Sequence, residues 1–163
     1  KKILFQPSIQ VKLNESTMGF LPLFVALLGL ILLYTLYTYN QIKPRKANLN
    51  RVIDAMAANS RERKQLVLQH EQNNPALQEL AEKLRKTSTD RFQSYKKEEE
   101  FIEELEQATK QLANEDLAHK LNALNHRQQE LIQNLKAKAK EYNSFIGKSP
   151  ASAVASAFGF RQF

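Results

Sequence analysis

Gly19–Tyr39 reads GFLPLFVALLGLILLYTLYTY, and how these 21 residues are read decides what the rest of the chain can be. About 20 consecutive apolar residues in a helix match the hydrocarbon thickness of a bilayer. The run sits inside a longer uncharged stretch, Ser16–Ile42. Tyr34, Tyr37 and Tyr39 crowd one end, as aromatic rings do at a membrane–water boundary, and Phe20 and Pro22 lie near the other. These features predict a transmembrane helix over 18–42, anchored by Phe20, Leu23, Phe24, Leu27, Leu30, Leu33, Tyr34 and Tyr37. A buried core helix is one competing reading, but a remainder this polar cannot enclose a run that is apolar on every side. A cleaved signal peptide is another. The run is too long for one, and it is followed by the basic QIKPRK over 41–46 in place of a small-residue cleavage site.

Outward from that run the chain changes character. The 163 residues fit one domain, and much of the 42% hydrophobic content is spent in the run. With no Cys, the chain cannot use disulfides, cysteine-ligated zinc, iron–sulfur clusters or thiol catalysis. Four Gly and five Pro are too few for a turn-rich β fold, so the composition is helical. Net charge is +7; from Lys43 onward there are 21 basic and 16 acidic residues, a diffuse excess. Lys43, Arg45, Lys46 and Arg51 follow the run closely, whereas Lys1, Lys2 and Lys12 precede it loosely. That imbalance favours a cytoplasmic C-terminal part.

Beyond the run, Leu49, Val52, Ile53, Met56, Leu66 and Val67 recur at helical spacing. One long helix from about Phe20 to His70 is expected, kinked near Pro44, where a backbone donor is missing. Asn74 and Pro75 have the form of an N-cap and first helical residue. Leu77, Leu80, Ala81 and Leu84 then line one face, and Lys86–Asp90 is rich in residues that bend or end a helix. Phe92, Tyr95, Phe101, Ile102 and Leu105 continue the apolar stripe to a corner at Asn114-Glu115-Asp116. The last helix is expected over about 117–145, with a stripe of Leu117, Leu121, Leu124, Leu131, Leu135 and Tyr142, interrupted by Gln128. Gly147 and Pro150 end it. The fold class expected is therefore all-α: an N-terminal transmembrane helix continuing into a long-helix antiparallel coiled-coil-like bundle. Its divisions are an N-terminal segment 1–17, the span 18–42, the bundle 43–147 and an apolar, aromatic tail 148–163. Narrow stripes bury little per helix, so packing against further copies is expected.

The tail, SPASAVASAFGFRQF over 149–163, carries one charge, Arg161. It reads either as a loose end or as a segment docking on the bundle, a neighbour or the lipid surface through Val154, Phe158, Phe160 and Phe163. Elsewhere no chemistry stands out. His119 and His126 are seven apart, not the four of a zinc-binding helix pair, and read as solvated. The acidic run from Glu98 to Glu106 lacks a Glu-x-x-His partner and reads as a solvated helix start. No Gly-rich phosphate loop is present, and the lysines are interleaved with acids, which disfavours nucleic acid. Neither a cofactor nor a metal is expected, and the chain reads as a non-enzyme.

Several segments resemble the LemA family. Tyr39-Asn40, followed by Lys46, Leu49, Arg51, Val52 and Asp54, is similar to the start of that domain. Glu141-Tyr142-Asn143-Ser144-Phe145-Ile146, then Pro150, Ala157-Phe158-Gly159-Phe160 and Phe163, resembles its closing pattern. Asp116-Leu117 occupies the place of a corner motif whose Tyr-Pro is missing here, so the resemblance is to a divergent member. It extends over 20–163 and implies a bacterial membrane-anchored helical bundle without assigned catalysis, in a family linked to envelope stress and proteolysis. On this reading the chain is a self-assembling scaffold at the bacterial inner membrane. Lipid and copies of itself are its partners, and Tyr142, Asn143, Phe158, Phe160 and Phe163 are candidate interaction residues. The alternative is an anchored adaptor or stalk subunit of a larger complex such as a membrane protease.

Overall fold

The computed structural model describes residues 8–87 and 91–163, with side chains described from residue 19. Residues 1–7, with Lys1 and Lys2, and the Ser88-Thr89-Asp90 part of the expected break lie outside the described residues. The chain is all-helical, with no strand among the described residues. Helix α1 runs Ser8–His70 without interruption, through both Pro22 and Pro44. A 3-10 turn at Glu71–Asn73 leads into α2, Pro75–Lys86. Helix α3 spans Tyr95–Lys110, α4 Glu115–Gly147 and α5 Ala151–Ala157.

The helix ends follow local chemistry. Asn114 caps α4, its side-chain oxygen accepting from the amides of Asp116 (3.1 Å) and Leu117 (3.2 Å). Ser94 caps α3 by accepting from Lys97 N at 3.3 Å. Asn74 occupies the cap position before Pro75, as expected, but its side chain turns back and donates to the carbonyl of His70 at 2.8 Å. That bond closes the end of the preceding helix instead of opening the next.

Past the apolar run, α1 packs along α4 with contacts in reversed order. Arg45 meets Glu141, Asn59 meets Gln128 and Arg63 meets Asn125. On α4 the buried positions are Leu117 and then Leu121, Asn125, Gln128, Ile132, Leu135, Ala139, Tyr142 and Ile146, which from Leu121 onward alternate four and three apart. This corrects the expected stripe: Leu124 and Leu131 are only half-buried, and Asn125 and Ile132 beside them point inward. A one-residue shift turns a helix face by about 100°. The inward line therefore includes polar side chains that a search for leucines passes over.

The core has two parts. The part nearer the apolar run joins Ile42, Leu49, Val52 and Met56 of α1 to Ile132, Leu135, Tyr142 and Ile146 of α4, with Ile102 of α3 and Ala155 of α5. The far part joins Val67 to Leu77, Leu80 and Leu84 of α2, Leu105 of α3 and Leu117 and Leu121 of α4. Between them lies a polar layer. Arg63 is fully buried; its Nη1 donates to Asn125 Oδ1 (2.9 Å), its Nη2 to Ser60 Oγ (3.2 Å), and its guanidinium lies 4.8 Å from the Phe101 ring centre. Gln128 donates to Glu98 at 3.0 Å and accepts from Asn59 at 2.8 Å. Asn125 in turn donates to the carbonyl of Ile102 at 2.9 Å. Glu98 Oε2 also lies 3.7 Å from Arg63, so the acidic run is not wholly solvated as expected: its first residue faces the buried cation. Desolvation pushes the Arg63 guanidinium down to about 10, against the opposing pull of Glu98. It remains a cation at neutral pH.

Candidate interaction surface: the apolar helix and the tail that returns to it

The apolar part of α1 is bare. An 18-residue window has a mean hydropathy of 2.3 and none of it is buried. Phe20, Leu23, Phe24, Leu27, Leu30, Leu33, Tyr34 and Tyr37 are all exposed, Phe20 by 70%. A helix in the core of this chain would be covered by its neighbours, and no part of this chain covers the window. By length and composition this helix is able to cross a membrane. Its hydroxyl at Thr35 does not stand open: Oγ1 donates to the Ile31 carbonyl at 2.7 Å.

The tail is folded back on its own chain. After α4 ends at Gly147, α5 places Ala151, Val154 and Ala155 in buried positions. Ala155 joins the core beside Ile42 and Ile146. At the end of α5, Phe160 N donates to the carbonyl of Ala155 at 2.8 Å, and Gly159 takes φ +72°. That left-handed residue turns the chain sharply, at a position where a Cβ would be strained. Phe158 and Phe160 then sit 5.0 and 5.8 Å from the Tyr39 ring. Lys46 lies over Phe160 at 5.3 Å and Lys43 over Tyr39 at 5.9 Å. Asn143 holds the last residue by two bonds: Phe163 N donates to its Oδ1 at 2.8 Å and its Nδ2 donates to the Phe163 carbonyl at 3.1 Å. The Phe163 ring stacks on Phe92 at 5.9 Å.

Of the residues expected to form an interaction surface, Phe158, Phe160, Phe163 and Asn143 are thus brought together at one end of the bundle. Tyr142 is not available there: it is 2% exposed, inside the core, and burial raises its phenol above the ordinary value. The tail docks on its own bundle. Sequence reasoning missed Asn59, Ser60, Arg63 and Asn125, whose signal is the continuation of the three-and-four spacing from Met56 to Val67 and from Leu121 to Gln128.

His126 lies on the surface beside Glu130 at 3.3 Å, and no group of three or more metal-ligating side chains occurs among the described residues. A groove of about 940 Å³ between α3 and α4 is shallow and lined by Lys96, Glu99, Glu103, His126, Glu130 and their neighbours. No protein-family model, no curated protein and no solved structure matches the chain.

Proposed function

We propose that the chain is a non-enzymatic, single-pass membrane protein whose helical bundle is an assembly scaffold standing directly on the bilayer. One observation carries the membrane part of this reading: α1 leaves its apolar window wholly uncovered, then continues into the packed helices as the same helix. Water would not tolerate so large an apolar surface, whereas lipid requires it. The packed helices are read as an antiparallel coiled-coil-like bundle. The reversed order of α1–α4 contacts and the four-and-three spacing along α4 support this. The LemA-like segments 39–54 and 141–163 support placement at a bacterial inner membrane, and Lys43, Arg45, Lys46 and Arg51 support a cytoplasmic bundle. Self-assembly rests on the slender helices: α2 and α3 each bury only four residues.

Mass photometry of the full-length protein extracted in mild detergent tests the reading. A homomeric particle of many copies is expected. A monomer would overturn the scaffold, and a particle holding other chains in fixed ratio would establish the adaptor alternative in its place.

A further inference from the structure

Outside the apolar part of α1, the large hydrophobic side chains left exposed among the described residues are Phe158 (53%) and Phe163 (45%). Phe158 is not scattered on the surface: it touches Tyr39, at the end of the bare helix. Below it, α5 and α1 leave an apolar groove of about 460 Å³, walled by Leu30, Ile31 and Tyr34 on one side and by Ala153, Val154 and Ala157 on the other. Leu30 is near the midpoint of Gly19–Tyr39, so this groove lies within the length of helix that would be in lipid. The segment that forms its second wall has no charge from Ser149 to Phe160, and is flanked by Lys148 and Arg161.

The charge on the elements flanking the groove is mostly of one sign. Along α1 no acid occurs between Glu15 and Asp54, and along the chain none follows Glu141. Glu141 is taken up by Arg45 at 3.3 Å. Lys43 and Lys46 lie over the Tyr39 and Phe160 rings, about two to three helical turns further along α1 than the groove, and Lys148 and Arg161 are exposed at either end of the returning segment.

We propose that α5 and the foot of α1 form a binding site for an anionic phospholipid in the leaflet on the Lys43 side, with an acyl chain in the Leu30–Ala157 groove and the headgroup among Lys43, Lys46, Lys148 and Arg161. The site rests on the membrane-spanning reading above. A second, short element then dips into the leaflet and returns, with Phe158 against lipid. Such interfacial seating combines apolar burial with attraction to anionic headgroups. The occupant is a lipid and not free phosphate, because most of the groove wall is hydrocarbon and the cations lie on the segments that flank it.

The chain has no Trp and no Cys, which makes single reporters unambiguous. Full-length Phe158→Trp and, separately, Tyr37→Trp are reconstituted in phosphatidylcholine vesicles containing a minor fraction of brominated lipid. The brominated lipid is phosphatidylglycerol in one sample and phosphatidylcholine in the other. Both tryptophans are expected to be quenched, and Trp at 158 several-fold more by the anionic lipid. That preference should fall toward equal quenching in Lys148→Gln and in Arg161→Gln, and further in the double variant. Equal quenching by both lipids would overturn the anionic site. Quenching at 37 but not at 158 would remove α5 from the membrane and leave the span standing. Quenching at neither would sink the membrane reading itself. A nitroxide at Ala157→Cys, read by oxygen against aqueous nickel-complex accessibility, gives the same decision should Phe158→Trp fold poorly.

Discussion

Arg63 is the residue whose environment departs furthest from its chemistry. A guanidinium removed from water loses several kcal/mol of hydration, which hydrogen bonds and a nearby charge must offset. Here Asn125, Ser60, Glu98 and the face of Phe101 do so together. Removing one member should therefore be worse than removing the group. Arg63→Ala strands Asn125 and leaves Glu98 without its buried cation, with an expected loss of about 3–5 kcal/mol. Replacing Asn59, Arg63, Glu98, Asn125 and Gln128 jointly by Leu or Met of similar volume, with Ser60→Ala, is expected to leave stability unchanged or raise it by about 1–4 kcal/mol. Urea unfolding in detergent, with an unchanged denaturant slope, reads both. A joint variant as damaged as the single one would show that the polar groups stabilise the fold beyond mutual compensation. The same residue marks a limit of sequence reading. Arg, Asn and Gln on a helix ordinarily face water, so their inward position is visible only in the phase of their neighbours.

Among the elements, α1 was the most legible, because hydropathy over 20 residues is a local sum that needs no partner. The cap at Asn114 was also legible, since that residue acts on the backbone beside it, and the helix ends at Gly147 as expected, although Lys148 in extended backbone, and not a left-handed glycine, closes it. The turning of α4 was not, because leucines at 124 and 131 fit a helical stripe almost as well as the true inward line. Nor was α5: seven small residues carry no periodicity, and only contact with Ile42 and Ile146 gives them a buried side. The bare face of α1 yields a prediction of its own. Leu27→Arg with Leu30→Arg places two cations near the middle of the run, each unfavourable by about 3 kcal/mol there. The double variant should move from the membrane pellet to the supernatant on alkaline carbonate washing, whereas Leu27→Ala with Leu30→Ala should stay. Full retention of the arginine variant would contradict a lipid environment for that face.

For the whole molecule, the polar layer divides the core, so the two ends need not open together. The far part depends on the short helix α2 and the far ends of α3 and α4, while the near part holds the long α1–α4 seam and the tail. Native-state hydrogen exchange should find amides of Pro75–Lys86 opening at a lower free energy than those of α4 around Leu135–Tyr142. Uniform protection across both would show one cooperative unit.

The uninterrupted course of α1 has a mechanical consequence. From Lys43 to His70 it projects about 42 Å at 1.5 Å per residue. The returning tail packs against it on both sides of the junction, with Ala155 beside Ile42 and Phe160 beneath Lys46, so that bending at Pro44 is braced. If the apolar part spans a bilayer as proposed, tilt by which it adapts to membrane thickness would be passed on undiminished. A change of ten degrees would swing the outer tip by about 7 Å, so that in the proposed setting the helix is a lever driven from the lipid.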